Sequence, residues 1–374
     1  MGLVQNHYWV AAFDLFLLDT TKISMWIYAG KRMMYGLMII ITVVCTIASI
    51  IYLSPVDPAR LSFGQMSDVG TVEAKRKAMG LDQPLPIQLM YYLRDVSPVN
   101  VIKLSNPALE NYSYITIFKA GSRKLILKWP YLRESYQSGR PVSDILKEAI
   151  PLTLILAICS ILLASFLGIA LGILAAIRQG TWIDQVAIFV STIGFSLPSY
   201  ATAIFFAILF AFILKPLTGL NLTGSLLEID NHGNWEIVLK NLILPVFALG
   251  LRPVSIITQL TRSAMLDNMS MPYVRTAKAK GLGVQKITYL HVLKNALNPI
   301  ITGISGWFAS LVTGAFFVEN VFNYRGLGLV TVKALLDFDI PVVLGAVIFT
   351  CIMFVVINIL VDLMYVLTDP RIKY

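Results

Sequence analysis

Pro272-Tyr273-Val274-Arg275-Thr276-Ala277-Lys278-Ala279-Lys280-Gly281-Leu282-Gly283 is a basic, polar stretch set between two long apolar runs. Read outward, the segment from Arg262 to Ala296 carries Arg262, Arg275, Lys278, Lys280, Lys286 and Lys294 against one acid, Asp267. The runs beside it, about Asn241 to Leu260 and about Leu297 to Phe322, each hold roughly the 20 residues a helix needs to cross a hydrocarbon core. Four more runs meet that length: Met33 to Leu53, about Ile150 to Ile177, about Val186 to Leu214 and about Pro341 to Leu367. The expected fold class is therefore an all-α polytopic membrane protein with six transmembrane helices. The short loops on the other side hold only Lys215, Lys240, Arg325 and Lys333. The positive-inside rule then puts 262–296 and both termini in the cytosol.

Composition agrees. Of 374 residues, 57% are hydrophobic and 14% charged, against about 45–50% and about 25% in an ordinary globular domain. That excludes a soluble enzyme and a disordered chain. The net charge of +9 reads as cytosolic loops, with no nucleic-acid partner expected. Cys45, Cys159 and Cys351 sit far apart in apolar runs, and His7, His232 and His291 have no metal-ligand spacing, so no metal site is expected. No GxxxxGK[ST] is present, so the chain is expected to bind no nucleotide and to carry no catalytic residues.

The expected organisation is a cytosolic or interfacial extension over 1–32, which holds the short run Trp9 to Leu18, and a first helix over 33–53. An extracytoplasmic loop subdomain over 54–148 follows, with strand character at Tyr112 to Thr116 and Leu125 to Leu127. A core of five helices then fills 149–367, and a cytosolic tail covers 368–374.

Inside the 262–296 loop, Ser270-Met271-Pro272 reads as a helix start with a hydroxyl cap and a first-turn proline. A short helix to about Lys280 stops at Gly281 and Gly283. A second begins at about Val284, with Val284, Ile287, Leu290, Leu293 and Leu297 at helical spacing. This is either a rigid protrusion that another protein grips or a basic loop lying on anionic lipid; composition does not separate the two.

Residue order does. Tyr273 through Leu282, followed by His291-Val292-Leu293-Lys294-Asn295-Ala296-Leu297-Asn298-Pro299, resembles the coupling loop of ABC importer permeases, in the dipeptide/oligopeptide/nickel branch. Arg275-Thr276-Ala277 stands where the general loop has Glu-Ala-Ala, and Gly281 is retained. Pro55-Val56-Asp57-Pro58-Ala59, Met79 through Pro86, Gly139-Arg140-Pro141-Val142, Glu319-Asn320-Val321-Phe322, Gly326-Leu327-Gly328 and Asp369-Pro370-Arg371-Ile372 are similar to further motifs of the branch, in order. The likeness covers roughly 33–96 and 138–374. Residues 97–137 look like an insertion, the first 30 residues are longer than usual, and Tyr324-Arg325 replaces the common Trp-Pro.

The resemblance implies the transmembrane domain of a type I ABC importer in the cytoplasmic membrane of a prokaryote. It implies a second homologous permease, two cytosolic ABC ATPases holding ATP and Mg2+, and an extracytoplasmic solute-binding protein that delivers peptides. Oligosaccharides or nickel are alternative cargoes of the branch. An ion-coupled secondary carrier would show intramembrane acids in a relay or an inverted repeat, and neither is visible. The implied ATPase-coupling residues are Tyr273, Arg275, Thr276, Ala277, Lys278, Lys280 and Gly281.

Pathway or gate candidates are Arg252, Glu319, Gly326 and Gly328. A central arginine costs about 2.5–3.5 kcal/mol on insertion scales. Arg252 is therefore expected to face the bundle interior or a wet cavity, in a gate or a structural role. Asp362 is expected to pair with a neighbour or sit near the cytosolic headgroups. Pro198, Pro245 and Pro253 are expected to kink spans 3 and 4.

Overall fold

In the computed structural model, the described residues are 30, 32–50, 69–78, 82–103, 112–230 and 232–368. The run Trp9 to Leu18, the motifs Pro55 to Ala59 and Asp369 to Ile372, and Met79 to Leu81 lie outside them.

Among the described residues, five helices are long and apolar enough to cross a membrane, and a bent pair makes a sixth crossing if taken as one span. We label them α1 (Arg32–Ile50), α4 (Val142–Ile177), α5 (Trp182–Ser196) with α6 (Ser199–Phe206), α7 (Lys240–Met269), α9 (Lys294–Phe322) and α11 (Ile340–Thr368). Outside the spans lie α2 (Val69–Ala78), α3 (Leu85–Val96), α8 (Pro272–Ala279) and α10 (Leu327–Leu336). Two helices exceed the apolar runs that mark them. Helix α4 begins at Val142 rather than near Ile150, and α7 continues past Leu260 to Met269. At 1.5 Å per residue, the 36 residues of α4 extend about 54 Å, well beyond a bilayer core.

The centre of the bundle is the α4–α7 pair. Ser160, Ala164, Gly168, Gly172 and Ala176 recur every four residues along α4, and all are buried. This small-residue stripe lets the two backbones approach closely, which is how helices associate where lipid gives no hydrophobic drive. A Cβ on Gly172 would sit 2.7 Å from the Thr258 carbonyl oxygen of α7.

Where one kinked span was expected, the chain holds two helices set at a sharp angle. Pro198 has no amide hydrogen and holds Leu197 extended (φ −79°, ψ 132°), so α5 and α6 meet at 105°. Pro245 and Pro253 both lie inside the continuous α7. Asp362 of α11 pairs with Arg32 of α1 at 2.9 Å, joining the first and last spans at one end.

Between α1 and α4 the described residues combine helices α2 and α3 with a small sheet. Strands β1 (Val99–Lys103), β2 (Tyr114–Ala120) and β3 (Arg123–Lys128) form an antiparallel sheet in the order β1-β3-β2. It falls within the 97–137 insertion. Strand β1 was not expected, and β2 and β3 are longer than the expected runs. Asp95, at the end of α3, is the hub under the sheet. It accepts the Tyr112 hydroxyl at 2.6 Å and Arg133 Nε at 2.9 Å, while its carbonyl accepts Lys128 Nζ. Lys128 also lies 3.8 Å from the Tyr112 ring centroid. Burial pulls the Lys128 ammonium down to about 8, against the opposing pull of Asp95. A short hairpin, β4 (Leu227–Ile229) and β5 (Trp235–Ile237), joins α6 to α7 and carried no clear sequence signal.

Candidate functional site

Two candidate sites lie at opposite ends of the bundle. The first is the elbow after α7. Helix α8 starts on Pro272 as its first residue, and its N-cap is Met271, not the expected Ser270 hydroxyl. The Ser270 hydroxyl instead donates to the Asp267 carbonyl at 2.7 Å, closing α7. At the other end of α8, Gly281 N–H donates to the Lys278 carbonyl (2.9 Å) and Leu282 N–H to the Ala277 carbonyl (3.3 Å). That bond pair is the Schellman stop, and it requires a left-handed residue between. Gly281 supplies it at φ 75°.

Helix α8 is amphipathic over only two turns. Val274 and Ala277 are buried in the main core cluster, with Tyr273 and Leu282 packed against it. Arg275, Thr276, Lys278 and Lys280 project outward. Of the residues singled out for docking, Ala277 therefore anchors the helix and the four polar ones face away. The Tyr273 hydroxyl donates to Asn268 Oδ1 at 2.9 Å, tying α8 back to α7.

The helix after the elbow is not the regular amphipathic one expected. Ile287–Leu293 forms a π-helix. Its wider turn shifts the buried stripe to Ile287, Val292, Ala296 and Ile300. Val284 and Leu290, expected on the apolar face, are 69% and 57% exposed. The elbow thus presents a mixed surface of basic and apolar side chains.

One brace behind the elbow was missed from sequence. Arg262 of α7 donates through Nε and Nη2 to both oxygens of Asp184 at 2.6 and 2.8 Å. Asp184 also accepts the Gly180 amide at 2.9 Å. The fork fixes the end of α7 to the start of α5.

The second site is the turn between α9 and α10. Glu319 is fully buried and faces no cation among the described residues. Its Oε2 accepts the amides of Gly328 (2.7 Å) and Leu329 (3.1 Å), and its Oε1 accepts the Thr153 hydroxyl at 2.6 Å. Thr153 Oγ1 in turn accepts the Leu327 amide at 2.7 Å. The first three amides of α10, orphaned in any helix, are thus all capped by side chains from α9 and α4. Gly326 and Gly328 permit this approach. A Cβ on Gly326 would lie 2.5 Å from the Glu319 carboxylate, and one on Gly328 would overlap the Phe316 backbone. Tyr324, at a departure from the usual motif, is fully buried and donates its hydroxyl to the Leu152 carbonyl at 3.2 Å.

Arg252 belongs to neither cluster. It lies in α7 with its guanidinium 5.3 Å from the Phe195 ring centroid, and its Nε is buried without a hydrogen-bond partner. Its surroundings are the α5–α7 contact, as the cation–π pairing requires.

A sharply bent helix pair, a capped turn and a protruding elbow on a bundle of long apolar helices fit a polytopic membrane protein. Comparison with known families supports that class. The model for the binding-protein-dependent transport system inner membrane component matches residues 168–374, and its N-terminal companion matches 25–157. The chain belongs to that family, and it is a multi-pass protein of the cytoplasmic membrane. It is 29% identical to the dipeptide transport system permease protein DppB of Alkalihalophilus pseudofirmus, over 93% of this chain and 99% of that one. It is 33% identical to the probable D,D-dipeptide transport system permease protein DdpB of Escherichia coli, over 91% and 96%. An inward-facing MetNI methionine ABC transporter structure aligns at 15% identity with a TM-score of 0.49, covering 61% of this chain and 97% of that one.

Proposed function

We propose that the chain is one of two permease subunits in an ATP-driven importer of peptides, with the elbow at α8 seated on a cytosolic ATPase. The observation that carries this reading is the division of labour in α8. Val274 and Ala277 bind it to the bundle core, while Arg275, Thr276, Lys278 and Lys280 are exposed on the other face. A helix held so firmly on one side transmits a push made on the other. The names of the relatives support peptides as cargo.

In this reading, the ATPases bind ATP and Mg2+ and draw together, and the paired elbows follow. The Arg262–Asp184 fork passes that movement from α7 to α5. The Glu319 cap holds the outer turn as one rigid piece with α9. Nucleotide bound to a partner thus biases a two-state equilibrium of the spans, and it can bias it only by as much as its binding differs between the two states. The class of importer, type I, and cytosolic termini belong to the same proposal.

Purification of the chain in mild detergent from its own host tests the reading. Two P-loop ATPases and a second permease are expected to come with it, and the associated binding protein is expected to hold peptides. Isolation without an ATPase would refute the importer. Nickel or an oligosaccharide in the binding protein would keep the importer and refute the cargo.

A further inference from the structure

At the end of the bundle opposite α8, a cavity of about 560 Å3 opens between the start of α4, the β4–β5 hairpin and α10. That volume lies in the range of small-molecule sites. Its walls are largely apolar, with Leu152, Leu329 and Trp235 among them. Three cations, Arg140, Arg325 and Lys333, line it against one acid, Glu148. Glu148 is already engaged by Arg140 in an ion pair. Arg325 and Lys333 are exposed and form no ion pair with the described residues. The cavity therefore carries two uncompensated positive charges beside an indole.

Both cations sit on anchored backbone. Arg325 is held in place, because its amide donates to Ser225 Oγ at 3.3 Å and the neighbouring Tyr324 is locked to α4. Lys333 lies on α10, whose start is fixed by Glu319 and Thr153. The two cations are thus mounted on the capped turn and the helix that it starts.

We propose that this cavity receives a carboxylate of the peptide being imported, with Arg325 and Lys333 as its charge partners and Trp235 against the adjoining side chain. This names a substrate feature for the function proposed above and rests on that reading. Either the terminal carboxylate or an acidic side chain has the required chemistry. Arginine is suited to a bidentate hold and lysine to a point contact.

The experiment is uptake by the complete importer in liposomes, comparing wild type with Arg325→Gln/Lys333→Gln. The same binding protein serves both, so its own selectivity cancels. The probes are Ala-Ala-Ala, its C-terminal amide, Ala-Glu-Ala and Ala-Gln-Ala. The variant is expected to lose about tenfold in the preference for the charged member of a pair, the size of one charge-assisted hydrogen bond. A loss confined to the acid–amide pair assigns the terminal carboxylate, and a loss confined to the Glu–Gln pair assigns the side chain. Unchanged ratios for both pairs would overturn the proposal while leaving the importer intact. A uniform fall for all four peptides, with weaker binding-protein affinity, would also overturn it, making the cavity a docking surface. A wild-type importer that moved none of them would overturn the functional reading as well. Both substitutions are at exposed positions, and Lys333→Gln alone provides a check if the double variant is poorly produced.

Discussion

Arg262 and Asp184 are joined by two hydrogen bonds, 2.6 and 2.8 Å long, across the gap between the end of α7 and the start of α5. Asp184 keeps only 4% side-chain exposure and Arg262 25%. Removing one partner strands a charge in a poorly solvated place. Asp184→Leu or Arg262→Met is expected to destabilise by about 2–4 kcal/mol, somewhat below the buried-pair range of about 3–5 kcal/mol because Arg262 remains partly wet. Asp184→Leu/Arg262→Met removes both charges and should recover most of that loss. Melting temperatures of the four proteins in one detergent form the cycle that checks it.

The Glu319 cap makes a graded series. Glu319→Ala leaves two α10 amides and the Thr153 hydroxyl unpaired, at about 1–3 kcal/mol for each buried orphan. Glu319→Gln retains an acceptor oxygen for the amides and is expected to cost much less. Thermal stability should therefore fall in the order wild type, Gln, Ala. Equal stability of all three would show that the cap does not hold the turn.

Gly328→Ala is expected to be more damaging than its single methyl suggests. The new Cβ would overlap backbone of α9 at Phe316, which no rotamer can relieve. Either α10 shifts or α9 does. Protease sensitivity of the 323–339 turn in the variant measures this, and unchanged resistance would contradict the packing described.

Lys128 gives the three-stranded sheet a pH dependence. Its folded value is lowered to about 8 from the ordinary lysine value of 10.5. Below pH 8 both folded and unfolded forms carry the proton, and the folded form bears the desolvation cost in full. Between about 8 and 10.5 the unfolded form binds more protons, so stability rises with pH. The Tyr112 hydroxyl is raised by burial and by Asp95, which opposes this above about pH 10, where the unfolded tyrosine ionises. Proteolytic resistance of 97–137 should therefore increase from pH 7.5 to 9.5. Lys128→Met should flatten the trend.

The parts of this fold that were legible in sequence follow from solvent. Long apolar runs and the basic 262–296 segment mark crossings and loops, because a bilayer imposes length and polarity on any chain. The stop at Gly281 was legible because left-handed backbone selects glycine. Side-chain pairings across distant elements left no local trace. Asp184 reads as an ordinary first-turn acid, and nothing near it names Arg262 as its partner. Thr153 looks like one more polar residue in an apolar helix until α10 arrives on top of it. The π-helix at Ile287–Leu293 hides for a different reason. Helical spacing assumes 3.6 residues per turn, and one wider turn moves Leu290 off the apolar stripe. The three-stranded sheet was half visible, since β1 has only five residues and one clear alternation.

The elbow itself is open to the most direct test. Lys278 is exposed on the outer face of α8, in a chain whose Cys45, Cys159 and Cys351 can first be replaced. With Lys278→Cys in that background, a membrane-impermeant thiol reagent should label nothing on intact cells. It should label inside-out vesicles only after the peripheral ATPase is stripped away. Labelling of intact cells, or equal labelling of vesicles with and without the ATPase, would mean that the elbow at α8 is not where the motor takes hold.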